Sequence, residues 1–160
     1  MTGAHLARGW VGKARTQVSS LSDVWLLARM AAWCCALRGL KHALPLPRLV
    51  LLVRQEPRWP RDSTTEQKVV VLARWASRFT RWSARGPCLE RALVTYRYLT
   101  AQNANPVLVI GIAPGERTIN GSRGHAWVTV DHVAVDDSEE SLEGFAGIVE
   151  FGPDGQPAGV

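Results

Sequence analysis

Cys88 directly follows a Gly86-Pro87 pair that predicts the start of a helix. With Pro87 as the first helical residue, Cys88 takes about the second position. Unpaired backbone amides and the helix dipole favour an anion there, so we expect the pKa of this thiol to be lowered. Cys88 is therefore a candidate nucleophile, and its amide a candidate donor to an oxyanion. The alternative is a structural role as a small core residue.

A cysteine nucleophile needs a base, and His125 begins a predicted strand directly after a Gly- and Ser-rich loop. The base in turn needs an acid that orients it. Asp136 and Asp137 are the candidates, because both follow a predicted hairpin turn at Asp131-His132. A strict two-residue turn places Asp136 on the face of His125, whereas one bulged residue places Asp137 there. The spacing leaves both open.

The elements that must position these side chains are helices up to residue 103 and strands over residues 106–137. Helical patterns begin after Ser22, at a Ser63–Glu66 capping box and at Pro87. We expect the last two helices to bury apolar residues at a spacing of three to four: Val69, Leu72, Ala76, Phe79, Leu89, Ala92, Leu93, Tyr96 and Leu99.

The strand patterns cover residues 107–112, 125–130 and 133–135, with an edge strand over 145–151. Leu49 to Val53 is too short and apolar to assign to a helix or a strand. The Gly/Pro-rich end is expected to be loose. Trp25, Trp33 and Trp75 are expected in the core. Trp127 is expected on the same strand face as His125, where it either shields the histidine from water or has an ordinary packing role.

The composition fits one compact domain over residues 1–160, because 46% of the residues are hydrophobic and 21% are charged. We divide it into an N-terminal helical part (1–60), a catalytic core (61–150) and a loose tail (151–160). The net charge of +5 suits acidic peptides or surfaces but does not argue for nucleic acid. Three cysteines cannot form a disulfide framework, which favours a reducing compartment.

Four sequence segments together resemble the leader peptidases of lasso-peptide biosynthesis: Cys88-Leu-Glu-Arg-Ala-Leu, residues 108–112, His125-Ala-Trp-Val-Thr-Val-Asp, and Asp137. That family resembles the C-terminal domain of the microcin-J processing protein and belongs to the transglutaminase-like cysteine proteases. The resemblance covers roughly residues 45–150. It implies an α+β fold with a transglutaminase-like (papain-like) core, in which N-terminal helices and a small antiparallel sheet of three to four strands pack on the Cys-bearing helix.

The resemblance also implies a catalytic triad and a function. It aligns the acid with Asp137, which gives Cys88, His125 and Asp137 as the catalytic residues, with no cofactor and no metal. Such enzymes remove the leader from a ribosomally made precursor in bacteria. They act with a small separate leader-recognition protein, before an ATP-dependent lasso cyclase closes the ring. An acyltransferase with the same triad and a non-catalytic scaffold in a biosynthetic complex are the alternatives.

Membrane and metal sites find little support in the sequence. The longest apolar window, residues 24–37, is interrupted by Arg29 and is shorter than the roughly 20 residues that a span needs. No signal peptide is recognised, so we expect a cytoplasmic protein, with membrane or partner contact through Trp10 and Trp59 left open. Cys34, Cys35 and His42 lack a second ligand pair, and zinc at the triad itself is a remote alternative.

An arginine stripe marks one helix face, at Arg74, Arg78, Arg81 and Arg85. The spacing of four, three and four residues places these side chains on one side of the helix. The stripe is either a docking surface for an acidic leader or a solvated helix face.

Overall fold

A computed structural model of the chain describes residues 20–80, 87–118 and 121–158. The predictions that concern Trp10, Arg81, Arg85 and Gly86 lie outside these residues. Among the residues described, no helix combines the length and the apolar character needed to cross a membrane.

The described chain forms five helices and five strands. The helices are α1 (Leu21–Ala43), α2 (Leu46–Val53), α3 (Ser63–Phe79), α4 (Cys88–Ala101) and α5 (Glu139–Leu142). The strands are β1 (Val107–Thr118), β2 (Gly121–Val130), β3 (Val133–Ala134), β4 (Ala146–Phe151) and β5 (Pro157–Ala158). The fold is therefore α+β, as predicted.

The N-terminal helices begin at local capping signals. The Ser20 side chain accepts a hydrogen bond from the Asp23 amide at the start of α1, which begins two residues earlier than a start after Ser22 would give. The ambiguous stretch from Leu49 to Val53 is helical, with Pro45 at the N-cap position of α2 and Pro47 in its first turn. Leu49, Val50 and Val53 are buried, and α2 contacts α4.

Helix α3 differs from its prediction at both ends. Its N-cap is Asp62, whose carboxylate accepts from the amides of Thr64 and Thr65, so the predicted capping box from Ser63 is wrong. Glu66 is instead fully buried and paired with Arg61 at 2.8 Å. At the other end Phe79 is 72% exposed, although Val69, Leu72 and Ala76 on the same predicted face are buried.

Two of the three tryptophans that we expected in the core lie at the surface. Trp25 is 66% exposed and Trp75 is 37% exposed. Trp33 is partly buried, with the guanidinium of Arg97 over its ring at 4.1 Å from the centroid. Helical spacing alone did not reveal which faces of α1 and α3 meet other elements.

The sheet has five antiparallel strands in the order β3-β2-β1-β4-β5, one more than the three to four expected. The stretch predicted as an edge strand is β4, which pairs with β1 on one side and β5 on the other. Residues 152–158, predicted to be loose, turn back to form β5. The Tyr96 hydroxyl holds this turn by donating to the Gly152 carbonyl at 2.6 Å.

Helix α4 is the centre of the packing and carries the candidate nucleophile. It contacts α1, α2 and α3 on one side and strands β1 and β2 on the other. Ala92, Leu93, Tyr96 and Leu99 are fully buried, and Leu89 is partly buried beside them. The helix is thus fixed relative to the sheet that carries His125.

Candidate active site

Cys88 is the first residue of α4, and Pro87 is its N-cap. The helix therefore begins one residue later than predicted. The Pro87 carbonyl accepts the first helical hydrogen bond, from the Arg91 amide at 2.9 Å. The thiol lies at the helix N-terminus, where the backbone dipoles favour a negative charge.

The Cys88 thiol interacts with the imidazole of His125 through hydrogen bonding that shifts the pKa of both groups. The backbone amides of Leu89 and Ala126 lie close enough to the sulfur to favour its ionised form. Burial opposes ionisation and is the largest influence on this thiol. The hydrogen bond and positive charge of His125, together with the two amides, outweigh it and hold the pKa of Cys88 below its ordinary value. The site thus favours a thiolate–imidazolium pair.

His125 links the thiol to a carboxylate. Its Nε2 atom lies 2.8 Å from Oδ2 of Asp137, which leaves Nδ1 for the thiol. The hydrogen bond to Asp137, and then the one to Cys88, raise the pKa of His125 to about 9 despite its partial burial. Burial works to raise the pKa of Asp137, but its bonds to His125 and Arg91 hold it below the ordinary value.

The β2–β3 hairpin explains why Asp137, and not Asp136, reaches the histidine. Asp131 and His132 both have positive φ (51° and 65°), and Val130 pairs with Val133, so the turn is a strict two-residue turn. The regular pairing ends at Val128. Its carbonyl still accepts from the Val135 amide at 3.0 Å, but its amide donates to the Asp136 carboxylate at 3.0 Å.

Asp136 therefore closes the hairpin with its side chain, and the chain leaves the sheet there. Without this departure, Asp136 would have been the residue on the face of His125, as the strict turn predicts. The bulge that we considered as the other route to Asp137 is absent from the pairing of β2 with β3. Instead, the Val128 amide donates to the Asp136 carboxylate and not to a backbone carbonyl, and it is this change that brings Asp137 to His125.

Asp136 is almost completely buried, and its carboxylate lies near Arg91, which also contacts Asp137. Burial raises the pKa of Asp136 to about 6, against the opposing influence of Arg91. Its Oδ2 atom lies 3.5 Å from Nε of Arg91. The Asp136 carbonyl accepts a hydrogen bond from Arg74 at 2.8 Å, so the described beginning of the arginine stripe fastens the acid-bearing segment to α3.

Arg91 is a site residue to which the sequence analysis gave no role. Its Nη2 atom lies 2.7 Å from the same Asp137 oxygen that contacts His125. The signal was present in the sequence, because residues three apart on a helix share a face and Arg91 follows Cys88 by three. Arg91 thus ties the acid to the helix that carries the nucleophile.

Two aromatic rings lie close to the imidazole of His125. Trp127 is stacked on His125 with the ring centroids 6.0 Å apart, and Phe145 lies at 5.2 Å. Gly111, which pairs with His125 across the sheet, makes room for the indole. A Cβ at position 111 would lie 2.7 Å from the Trp127 ring and 2.8 Å from the Ala146 carbonyl. The expected packing of Trp127 against His125 is confirmed.

The other candidate residues lie apart from this site. Cys34 is buried, and burial raises its pKa to about 12, whereas Cys35 is exposed. In the described part of the chain, no three or more His, Cys, Asp or Glu side chains are grouped so that they could hold a metal ion. Arg78 is exposed, and Trp59 is 53% exposed.

A cysteine at a helix N-terminus thus lies near a histidine and an aspartate of a neighbouring hairpin, an arrangement whose chemistry can support acyl transfer through a thiolate. A family model described as "Transglutaminase-like superfamily" matches residues 27–150, and the chain belongs to this superfamily. The superfamily includes cysteine proteases and acyltransferases and is typically catalytic. Neither the curated proteins nor the solved structures gave a match.

Proposed function

We propose that this chain is a cysteine endopeptidase that removes the leader from a ribosomally made lasso-peptide precursor. One observation carries the catalytic part of this proposal. The Cys88 thiol, at a helix N-terminus, is hydrogen-bonded to His125, which is in turn bonded to Asp137. The choice of substrate rests on the resemblance of the segments around these three residues to lasso-peptide leader peptidases.

The reaction follows from the arrangement of charges. The Cys88 thiolate attacks the scissile carbonyl carbon, and backbone amides at the start of α4 stabilise the oxyanion. The C–N bond then breaks as protonated His125 gives its proton to the leaving amine, and a thioester remains. Neutral His125 then takes a proton from water as the water oxygen attacks the thioester carbonyl, the C–S bond breaks, and the free acid leaves while the thiolate–imidazolium pair is restored. Asp137 holds the imidazole in place and supports its positive charge.

The proposed partners follow from the same resemblance. The precursor is the substrate, a small separate protein recognises the leader, and an ATP-dependent cyclase acts on the released core peptide. We propose that these proteins meet in the bacterial cytoplasm. Within this proposal, the exposed Trp59 offers an apolar contact to a membrane surface.

The decisive experiment is precursor cleavage in the presence of the leader-recognition protein, followed by mass spectrometry. Cys88→Ala should lower the rate of leader release by roughly three orders of magnitude or more. Cys35→Ala, which changes an exposed cysteine on α1, is the matched control and should cleave at the parent rate. Leader release by Cys88→Ala at the parent rate would overturn the proposal.

Acyl transfer to an amine is a second candidate, which membership of the superfamily favours. The chemistry is shared up to the thioester, and the two reactions differ in whether water or an amine attacks it. Products formed in the presence of a primary amine separate them. A peptidase yields a leader with a free carboxylate, whereas an acyltransferase yields an amide adduct that is heavier by the added amine.

A non-catalytic scaffold is the third candidate, and thiol alkylation tests it without a substrate. A peptidase should show iodoacetamide labelling of Cys88 well below pH 8, because its pKa is lowered. Cys34 should stay unlabelled in the folded protein, because it is buried and its pKa is raised to about 12. Slow labelling of Cys88 at all pH values below 8 would favour the scaffold.

A further inference from the structure

An apolar cavity of about 260 Å³ opens directly beside the candidate nucleophile. Cys88 and His125 form part of its wall, so anything bound in it lies next to the reacting atoms. Another part of the wall comes from the junction of α1 and α2, which the sequence analysis placed outside the catalytic core. The cavity is lined mainly by aliphatic side chains: Leu44, Leu46, Leu49, Leu89 and Ile110.

Apart from Cys88 and His125, Lys41 is the charged residue in the lining of this cavity, and it is already paired. Lys41 lines the cavity, and its Nζ atom lies 2.7 Å from Oε1 of the buried Glu90. A lysine held by a buried carboxylate does not offer a free positive charge to a ligand. Apart from Cys88 and His125, the remaining side chains of the lining are aliphatic, so an apolar group that enters the cavity leaves water and contacts apolar side chains.

The size of the cavity selects a single bulky side chain. An apolar protein cavity of roughly 150 Å³ binds a benzene molecule. A volume of about 260 Å³ therefore has room for a phenyl ring or a branched aliphatic group together with its link to a peptide backbone. A small or charged side chain would leave the leucines exposed to water or place a charge among them.

We propose that this cavity is a specificity pocket that receives a large aliphatic or aromatic substrate side chain close to the scissile bond. The proposal rests on the proposed peptidase function and adds its substrate class. Burying a leucine- or phenylalanine-sized group in such a pocket changes a rate constant by about 10- to 100-fold. Residues of the N-terminal helices thereby select the substrate on which Cys88 acts.

A series of iodoacetamides tests the pocket without a known substrate. The unsubstituted reagent is compared with its N-isobutyl and N-phenethyl derivatives, and the alkylation rate of each cysteine is followed by mass spectrometry. We expect the apolar groups to accelerate alkylation of Cys88 by about 10- to 100-fold over the unsubstituted reagent. Cys35, which is exposed on α1, is the internal reference and should show no such preference.

Two leucines on α2 provide matched variants. Leu46 lines the cavity, whereas Leu52 lies on the same helix, is 46% exposed and does not line it. Leu46→Trp should fill the pocket and abolish the preference for the apolar reagents, measured as the ratio of their rates to the rate of unsubstituted iodoacetamide on the same variant. Leu52→Trp should keep the full preference. Leu44→Gln, which makes the pocket polar, is a second variant and should also lose the preference for the apolar reagents. Protection of the buried Cys34 from alkylation shows that each variant is folded.

The outcomes separate the pocket from the proposed function. Equal rates for the three reagents at Cys88, or a preference that survives Leu46→Trp and Leu44→Gln in folded protein, would overturn the specificity pocket. A Cys88 that prefers the apolar reagents but reacts no faster than Cys35 with unsubstituted iodoacetamide at pH 7 would support the pocket and contradict the activated thiol. A Cys88 that reacts faster than Cys35 with unsubstituted iodoacetamide but shows no preference for the apolar reagents would support the activated thiol and contradict the pocket.

Discussion

At the residue scale, two neighbouring aspartates have separate tasks because their surroundings differ. The Asp137 carboxylate is half-buried between His125 and Arg91, which keep it ionised and aimed at the imidazole. The Asp136 carboxylate is buried behind it and completes the hairpin by accepting from the Val128 amide. Identical side chains thus serve electrostatics in one case and backbone hydrogen bonding in the other.

The first prediction separates these tasks by substitution. Asp137→Asn should lower the pKa of His125 and raise that of Cys88, because the imidazolium loses its charged partner. The pH at which Cys88 alkylation begins should move upward, and precursor cleavage should fall by roughly two to four orders of magnitude. Asp136→Asn is the matched control and should leave the onset of alkylation near its original pH. If the pH at which Cys88 alkylation begins moved further in Asp136→Asn than in Asp137→Asn, Asp136 and not Asp137 would be the acid that orients His125.

The second prediction concerns the pH dependence of stability. The pKa of Asp136 is raised to about 6 in the folded protein and returns to its ordinary value, near 4, in the unfolded chain. The folded state therefore binds more protons between these values, and the carboxylate lowers the free energy of unfolding as pH rises through them. We expect Asp136→Asn to gain about 1–3 kcal/mol relative to the parent protein between pH 4 and 7.

Urea unfolding of both proteins at several pH values measures this difference. The asparagine keeps a side-chain oxygen for the Val128 amide, so the comparison isolates the charge. A difference in the free energy of unfolding that stays constant from pH 4 to 7 would show that the pKa of Asp136 is not raised.

At the element scale, the site depends on how closely β1 approaches β2 and β4. Gly111 faces His125 on one side and Gly147 on the other, and the Trp127 ring lies over it. This contact fixes the indole that stacks on the imidazole. Helix α4 also holds a side chain of the site in place, because its Arg91 is hydrogen-bonded to Asp137.

The third prediction is that Gly111→Ala damages both stability and the site. The added methyl group would meet the Trp127 ring at 2.7 Å and a backbone carbonyl at 2.8 Å, and the carbonyl cannot move without disturbing β4. We expect a loss of about 1–3 kcal/mol in the free energy of unfolding and a higher pH for the onset of Cys88 alkylation.

Gly39→Ala is the matched control for this substitution. Gly39 lies within α1, and nothing approaches its added Cβ within 4 Å. Alanine there should stabilise the protein by about 0.5–1 kcal/mol, because it favours the helix. Equal stability of the two variants in thermal unfolding would show that the Trp127 contact carries no strain.

At the scale of the whole molecule, the N-terminal helices belong to the same core as the site. Met30, Cys34 and Leu37 on α1, and Leu49 and Val53 on α2, are buried in one cluster with α4 and the sheet. Two ion pairs connect α1 to the later helices, Lys41 with Glu90 and Lys68 with Asp23. These contacts link residues that we had assigned to separate parts, 1–60 and 61–150.

The fourth prediction is that residues 61–160 do not fold without the first 60. Removal of α1 and α2 would expose the apolar sides of α3 and α4 and open the cavity beside Cys88. The fragment should show no cooperative transition in urea, whereas the full chain should show one. A fragment with a steep transition and an alkylation profile of Cys88 like that of the full chain would contradict this prediction.

The sequence by itself determined the features that local chemistry controls. Pro87 placed Cys88 at a helix start, the β-branched run placed His125 on a strand, and Asp131-His132 marked the turn. Signals of this kind act within a few residues, through backbone dihedral preferences and short-range periodicity. They also led to α4 and its buried face, and the resemblance to known sequences led to the superfamily.

The tertiary structure decided everything that depends on residues far apart in the chain. The end of β2–β3 pairing at Val128 selected Asp137 over Asp136. The exposure of Trp25 and Phe79, the fifth strand and the leucine-lined cavity depend on which faces of the helices and sheet meet. Burial and strand register are properties of pairs of elements, and periodicity within one element does not contain them.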